Sequence, residues 1–332
     1  MRYIGGKSLL LNTILPEIPK DVVSVLDIFS GSGIVSNFLK RNGYKVYSND
    51  LLYFSYVLSR GTTGINKMVS FSGLEQNPLD FLNSIKSSIT DDCFIYQNYS
   101  PNTHCNRMYF QNDNALKIDW IRQQIENWKE ESVITEDGYF YLLASLINAV
   151  PYVSNITGTY GAYLKYWDKR TFDKLELKSG EIYTEGLPAE CFCGDYRLCL
   201  SKQVDLLYAD PPYNSREYLP NYHVLETIAK YDKPIIKGVT GMRPYVEQKS
   251  DFCRKGKVEE AFETLIKDAH AKYVLISYNN EGLISTERLT DICKSYAKKF
   301  RLLEIPYRRY KNKIPNNTDG LKEQLYFIEK KG

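Results

Sequence analysis

The chain has 332 residues, enough for one large domain or two, and 43% of them are apolar, as in an ordinary globular protein. Its 43 basic and 40 acidic side chains leave a net charge of +3, so contact with a nucleic acid must come from local basic patches. Seven cysteines without C-x-x-C spacing, three scattered histidines and no apolar run of ~20 residues argue against a structural metal site and a membrane span, and predict reduced thiols in the cytoplasm.

The first feature along the chain is the segment Gly5-Gly6-Lys7, which precedes a helix predicted over residues 8–14. Free backbone amides beside a lysine can bind a carboxylate or a phosphate. A flexible terminus would have the same composition, so this segment alone does not decide between the two.

A predicted strand over residues 22–29 is followed by the turn Ser30-Gly31-Ser32-Gly33, a helix over 34–41 and a second strand over 44–48 that runs into Asp50. Glycines let a ligand approach the backbone, and an acid after the second strand can accept hydrogen bonds from ribose hydroxyls. The turn has two of the three glycines of the dinucleotide fingerprint, and the aromatic Phe29 precedes it. This pattern suits S-adenosylmethionine better than a pyrophosphate, with a ligand-free βαβ unit as the alternative.

The pattern changes from about residue 51 to residue 188, where helices are predicted over 78–89, 115–131 and 139–149. A polar, tyrosine-rich segment over residues 152–183 follows them. Its basic residues, interleaved with aromatic rings, fit contact with phosphates and bases, although a solvated irregular surface would look similar. We expect residues 51–188 to form an inserted second domain.

The apolar run over residues 204–209 predicts a buried parallel strand, and Asp210-Pro211-Pro212-Tyr213 follows at its carboxyl end. Ligands of open α/β sheets bind at that edge. Two prolines make the turn stiff, so a planar ligand could be held between a carboxylate, a backbone carbonyl and an aromatic ring. An ordinary Pro-Pro turn is the alternative.

The remaining pattern completes a sheet. We expect strands over residues 190–195, 273–277, 301–306 and 324–329, the last two as an antiparallel pair, and helices through 225–229, over 255–271 and over 286–298. Tyr278 ends one of these strands and is a second candidate for a stacking ring. The loop after residue 306 holds a basic run, Arg308, Arg309 and Lys311, near the expected ligand edge.

These segments together resemble the Dam-like (D12-class) adenine-N6 DNA methyltransferases, in the subgroup found in restriction-modification systems. The motifs that carry the resemblance, in their family order, are Tyr3-Ile4-Gly5-Gly6-Lys7, Phe29-Ser30-Gly31-Ser32-Gly33, Asp50, Cys193-Gly194-Asp195-Tyr196 and Asp210-Pro211-Pro212-Tyr213. The resemblance implies a Rossmann-like α/β methyltransferase fold, with a seven-stranded mixed sheet and a C-terminal antiparallel hairpin. It also implies a catalytic domain of residues 1–50 and 189–332, with a mostly helical target-recognition insertion over 51–188.

The resemblance further implies the site. The catalytic turn would be Asp210, Pro211, Pro212 and Tyr213, and the S-adenosylmethionine site would be Tyr3, Lys7, Asp27, Phe29, Gly31, Gly33, Asp50, Asp195 and Asp210. The candidate DNA contacts are Tyr278, Arg216, Lys165, Lys169, Arg170, Arg308, Arg309 and Lys311. We expect double-stranded DNA as the partner, a monomer, and functional pairing with a restriction endonuclease.

The proposed chemistry can be argued from the turn itself. A carboxylate and a backbone carbonyl that accept both N–H groups of an exocyclic amine would localise its lone pair for direct methyl transfer. Cytosine-C5 transfer needs a cysteine, usually after proline, and the sequence has no Pro-Cys pair. Transfer to cytosine N4 or to an RNA base, and a catalytically inactive DNA-binding relative, stay open as alternatives. A nicotinamide-dependent oxidoreductase would leave the Asp-Pro-Pro-Tyr turn without a role.

Overall fold

The structure is a computed structural model that describes residues 6–306 and 320–331. Its strands are β1 (Ser24–Asp27), β2 (Lys45–Asp50), β3 (Glu190–Cys193), β4 (Val204–Ala209), β5 (Ala271–Asn279), β6 (Ala297–Pro306) and β7 (Lys322–Lys330). Its α-helices are α1 (Leu11–Ile14), α2 (Ile34–Arg41), α3 (Tyr53–Arg60), α4 (Pro78–Ser84), α5 (Phe94–Tyr99), α6 (Asn112–Glu130), α7 (Glu136–Ala149), α8 (Leu219–Lys230), α9 (Val258–Asp268) and α10 (Thr286–Tyr296). Across the two described ranges, no helix is both long enough and apolar enough to span a membrane.

The described strands form one seven-stranded mixed sheet in the order β3-β2-β1-β4-β5-β7-β6. The first five of these are parallel, whereas β7 pairs antiparallel with both β5 and β6. The predicted α/β fold and its C-terminal antiparallel pair are therefore confirmed. Parallel strands need both faces covered, which explains why their sequences are almost continuously apolar.

Strand β4 shows how the two faces are covered. Leu207 points into a hydrophobic cluster that includes Phe262 of α9 and Leu289 of α10. Its neighbour Leu206 points to the opposite face, into a cluster that includes Leu39 of α2. The side-chain period of two along a strand thus places helices on both faces of the sheet.

The sheet has a topological switch point between β1 and β4. The chain proceeds from β1 to β2 on one side, and from β4 to β5 on the other side. The connections that leave β1 and β4 diverge at their carboxyl ends and open a crevice there. The glycine turn after β1 and Asp210 after β4 both lie at this crevice, as their positions in the sequence predicted.

Residues 51–188 contain α3 to α7 and no strand. Helices α3 and α5 were not predicted, and the helix predicted over 78–89 ends at Ser84. The main hydrophobic cluster of this segment includes Phe54 of α3 and Leu146 of α7, but also Leu225 and Ile228 of α8. The segment therefore shares a core with α8, and the domain division at residues 50 and 188 stays a proposal about function.

The C-terminal boundaries also differ slightly from expectation. The helix predicted over residues 255–271 ends at Asp268, because Ala271 already belongs to β5. The helix predicted over 286–298 ends at Tyr296, because the next residue begins β6. In both places a short connection between helix and strand leaves no turn signal in the sequence.

Candidate active site

A cleft lies at the carboxyl ends of the parallel strands. The predicted site residues that line it are Lys7, Asp27, Phe29, Gly31, Asp50, Asp195, Asp210 and Pro212. Gly33, Pro211 and Tyr213 are not among the lining residues but belong to the two turns that contribute to the lining. Tyr3 lies outside the described residues, so its predicted contact stays a prediction.

The glycine turn after β1 is closed by local hydrogen bonds. The Gly33 amide donates to the Ser30 carbonyl at 2.8 Å, and the Gly31 amide donates to Asp50 Oδ2 at 2.8 Å. Gly31 and Gly33 have φ of 53° and 75°, in the left-handed region that favours glycine. A Cβ on Gly33 would also lie 3.2 Å from the Ser59 hydroxyl. Gly33 thus starts α2 beneath the cleft, and Gly31 faces into it.

Asp50 is the last residue of β2, and its side chain holds the glycine turn that follows β1. In addition to its bond from Gly31, its Oδ1 accepts a hydrogen bond from the Leu52 amide at 2.9 Å. Burial raises the pKa of the Asp50 carboxyl to about 6, although these backbone hydrogen bonds oppose the shift. Each carboxylate oxygen has a further lone pair, so the predicted contact with ribose hydroxyls is compatible with this arrangement.

Asp27, the last residue of β1, is a buried acid with one oxygen unused. Its Oδ2 accepts from the Ser36 hydroxyl at 2.6 Å, whereas its Oδ1 has no hydrogen-bond partner among the described residues. Burial raises the pKa of Asp27 to about 7, and the nearby carboxylates of Asp210 and Asp50 add to the shift. A buried, unpartnered acceptor at a cleft is costly unless a ligand supplies a donor.

An aromatic wall and a second acid lie farther along the cleft. The Phe29 ring packs edge-on against Phe252, with centroids 5.2 Å apart, and lies 5.8 Å from the Tyr196 ring. Asp195 accepts a hydrogen bond from the Arg197 amide at 3.0 Å and pairs with the Arg197 guanidinium. This end of the cleft therefore offers flat apolar surface beside a hydrogen-bond acceptor.

The Asp-Pro-Pro-Tyr turn forms a compact charged cluster with the N-terminal lysine. Asp210 Oδ1 lies 2.9 Å from Lys7 Nζ and accepts a hydrogen bond from the Tyr213 hydroxyl at 2.6 Å. Lys7 Nζ also contacts the Tyr213 hydroxyl and lies 4.7 Å from the centre of its ring. The sequence predicts Tyr213 as the stacking face, and that role stays a prediction; in the structure its hydroxyl donates to the Asp210 carboxylate.

Tyr278 requires a correction. Its side chain is only 1% exposed, and its ring packs edge-on against Tyr213 with centroids 5.2 Å apart. Its hydroxyl donates to the Tyr213 carbonyl and accepts from the Leu283 amide. The structure thus places Tyr278 behind the Asp-Pro-Pro-Tyr turn as a support, rather than at a surface where a base could stack.

The other candidate DNA contacts separate into three groups. Lys165, Lys169 and Arg216 are exposed and available to a partner. Arg170 is half-buried and its guanidinium bonds the Ile156 carbonyl, so it supports the local fold instead. Three of them, Arg308, Arg309 and Lys311, lie outside the described residues.

Several cleft residues were missed by the sequence analysis. They are Glu217, Tyr218, Leu219, Gln248, Ser250 and Asp251. Contacts across the fold place them: Glu217 Oε2 accepts from the Ser250 amide at 3.0 Å, and the Gln248 amide donates to Glu226 at 2.7 Å. No local motif signals these positions. Among residues 6–306 and 320–331, no cluster of His, Cys, Asp or Glu is arranged to hold a metal ion.

A glycine turn and acid-ended strands opposite an Asp-Pro-Pro-Tyr turn, all at one switch point, define the class of amino-group methyltransferases. The chain belongs to the family of D12 class N6 adenine-specific DNA methyltransferases, whose model matches residues 3–292. The resemblance stated from the sequence is thereby confirmed.

Curated relatives agree with this family. The chain is 45% identical to the type II methyltransferase M.FokI of Planomicrobium okeanokoites and 40% identical to the modification methylase StsI of Streptococcus sanguinis. These matches cover 99% and 100% of this chain but only 53% and 52% of the relatives, so the chain spans about half their length. It is also 37% identical to the type II methyltransferase M.NlaIII of Neisseria lactamica, over 99% of both chains.

Proposed function

We propose that this protein transfers a methyl group from S-adenosylmethionine to N6 of adenine at a specific sequence in double-stranded DNA, within a restriction-modification system. One observation carries the proposal: Asp210 lies in the same cleft as the glycine turn and the acids Asp27 and Asp50. A methyl-donor site and an amine-acceptor site are thus adjacent in this arrangement. The restriction-modification setting is supported by the words "type II methyltransferase" in the names of its relatives.

The residues of the cleft fit S-adenosylmethionine. When bound, this cofactor supplies an electrophilic methyl group on a sulfonium. The unpartnered Asp27 Oδ1 matches a cationic amino group, Asp50 can accept from ribose hydroxyls, and the ring of Phe29 can pack against a purine. The turn holds only backbone and small side chains where the ligand must approach closely.

Asp210 and the backbone carbonyl of Pro211 would accept the two N–H groups of the target amine. Its lone pair is delocalised into the purine, and two acceptors fixed by a rigid turn would localise it toward the methyl group. The adenine must leave the duplex to reach this cleft, which costs a few kcal/mol. Stacking on an aromatic ring would offset ~1–3 kcal/mol of this. In this proposal Tyr213 keeps that role once the base displaces Lys7 from its ring.

A groove beside the cleft is the proposed DNA surface. It is lined by the exposed Tyr152, Lys174 and Lys178, and helix α8 links it to the cleft, because Leu225 lines the groove and Leu219 the cleft. Exposed lysines near aromatic rings suit phosphates and unstacked bases. We propose residues 51–188 as the target-recognition region, acting in a cytoplasmic monomer that is paired functionally with an endonuclease.

The test is transfer of a labelled methyl group to duplex DNA of many sequences. We expect transfer by the native chain and a loss of at least ~10²-fold in Asp210→Ala, because the acceptor of the amine is removed. Asp268→Asn, an exposed acid at the end of α9, is the matched control and should be unchanged. Normal transfer by Asp210→Ala would refute the assigned role.

The same assay separates the alternatives. Digestion of the labelled product to nucleosides should yield N6-methyladenosine as its deoxynucleoside. Methylated cytosine, or label only in RNA, would support the rival acceptors. Binding of DNA without any transfer or cofactor binding would support an inactive relative.

A further inference from the structure

We propose that Glu323 is a positioning residue of this site, which acts through Lys7 by sharing its ammonium with Asp210. The inference rests on the proposed function and adds a residue that no motif of the sequence indicated. Glu323 lies near the start of β7, opposite Asn279 at the end of β5. Because β7 runs antiparallel to β5, its first residues reach the same edge of the sheet as the catalytic turn.

The contacts of Glu323 are short-range and buried. Its side chain is about 5% exposed. Its Oε2 lies 3.9 Å from Lys7 Nζ and 3.4 Å from the Tyr213 hydroxyl. Asp210 Oδ1 lies 2.9 Å from the same ammonium. One cation is therefore held between two carboxylates and above a tyrosine ring.

This arrangement limits how far Lys7 can neutralise Asp210. A buried charge interacts strongly with its neighbours, because little water screens it. Without Glu323 the full positive charge of the ammonium would act on the Asp210 carboxylate, whose Oδ1 it contacts at 2.9 Å. Its positive charge would also oppose the positive charge that develops on the amino nitrogen during methyl transfer. The negative charge of Glu323 offsets part of the positive charge of Lys7, which leaves Asp210 a better acceptor.

A purely structural role for Glu323 makes a different prediction. A residue that only stabilises the end of β7 would act independently of Lys7, so the two substitutions would have additive effects on the rate. A residue that acts through Lys7 would have little effect once Lys7 is gone, because residues that share one network are not additive. The comparison of single and double variants therefore distinguishes the two roles.

The experiment measures single-turnover methyl transfer to DNA at saturating cofactor in the native chain, Glu323→Gln, Lys7→Met and the double variant. We expect Glu323→Gln to lower the rate roughly 10-fold to 100-fold, less than the ~10²–10³ for loss of a group in direct contact. In the Lys7→Met chain the same change should alter the rate by less than about threefold, as expected for coupled residues. In Glu323→Gln the affinity for the cofactor should stay within about threefold of the native value, because the substitution affects the transition state and not the binding of the cofactor in the ground state.

Glu329→Gln is the matched control, since it lies on the same strand and pairs with Lys298 and Lys299 at the other end. Its rate should equal that of the native chain. Glu323→Asp, which keeps the charge, should recover part of the rate lost in Glu323→Gln. If Lys7→Met has no measurable activity, this comparison of Glu323→Asp with Glu323→Gln is the one that tests the inference. An unchanged rate in Glu323→Gln, equal losses in both backgrounds, or no recovery with Asp would overturn the inference. Absence of transfer by the native chain would instead refute the proposed function.

Discussion

The pKa of Asp27 gives a quantitative prediction for cofactor binding. This buried carboxylate lines the cleft, and its Oδ1 has no hydrogen-bond partner among the described residues. Burial raises its pKa to about 7. If it holds the cationic amino group of S-adenosylmethionine, only its ionised form binds. About one tenth of Asp27 is ionised at pH 6 and about nine tenths at pH 8, so the apparent Kd should fall about tenfold between these values.

Calorimetric titration of the native chain with S-adenosylmethionine at pH 6, 7 and 8 and constant ionic strength tests this. Asp50, with a pKa of about 6, is about half ionised at pH 6 and adds only about a factor of two. Asp27→Asn should therefore bind more weakly at pH 8 and keep only that smaller pH dependence. The exposed Asp268→Asn should behave as the native chain does. A native Kd that is independent of pH, or an unchanged slope in Asp27→Asn, would refute the assigned contact.

The same carboxyl predicts how the unliganded protein responds to pH. Because its folded pKa lies above the ordinary value of 3.8, the native state binds a proton more tightly than the unfolded state between pH 4 and pH 7. The free energy of unfolding therefore falls as the pH rises through this window, by about 1.4 kcal/mol per pH unit from this group. Urea denaturation of the native chain and of Asp27→Asn should show a shallower decline in the variant. Equal declines would contradict the raised pKa.

Three further predictions concern packing and DNA contact. Glu226→Ala should lower the free energy of unfolding in urea by about 3 kcal/mol, because this buried carboxylate accepts from two amides at the start of α3. Glu226→Gln should lower the free energy of unfolding by less, and equal decreases in the two variants would contradict the argument. Gly61→Ala should lower the free energy of unfolding by about 1–3 kcal/mol, because the new Cβ would lie 2.4 Å from a carbonyl oxygen of α7. An unchanged melting temperature of this variant would show that α3 and α7 can move apart to admit the methyl group. Lys165→Ala combined with Lys169→Ala should reduce the slope of log K against log salt for duplex DNA by about 1.8, and an unchanged slope would remove both from the DNA surface.

Much of the site could be predicted because its residues follow strands directly. An apolar run marks β4, and the acid after it must lie at the carboxyl edge of the sheet. The same argument placed Asp50 after β2 and the glycine turn after β1. Local order along the chain is sufficient there, since each residue is carried to the cleft by the strand that precedes it.

The predictions failed where a role depends on packing between distant segments. Tyr278 also follows the core of a strand, yet packing against Tyr213 buries it behind the turn. Helix α3 was missed because its first amides are capped by Glu226, which lies 173 residues away from Tyr53, instead of by a residue of its own segment. A capping signal of this kind cannot be seen in a local pattern.

The sequence by itself determined the fold class, the family and the edge of the sheet at which the site lies, because strand patterns and the motifs after them are local. Only the tertiary structure decided the surroundings of Asp210. Tyr213 donates to it through its hydroxyl, and Lys7 contacts it from a position 206 residues away from Tyr213. Glu323, 110 residues away from Tyr213, contacts that lysine and that hydroxyl. Electrostatic interactions depend on distance in space, and the antiparallel insertion of β7 beside β5 sets that distance.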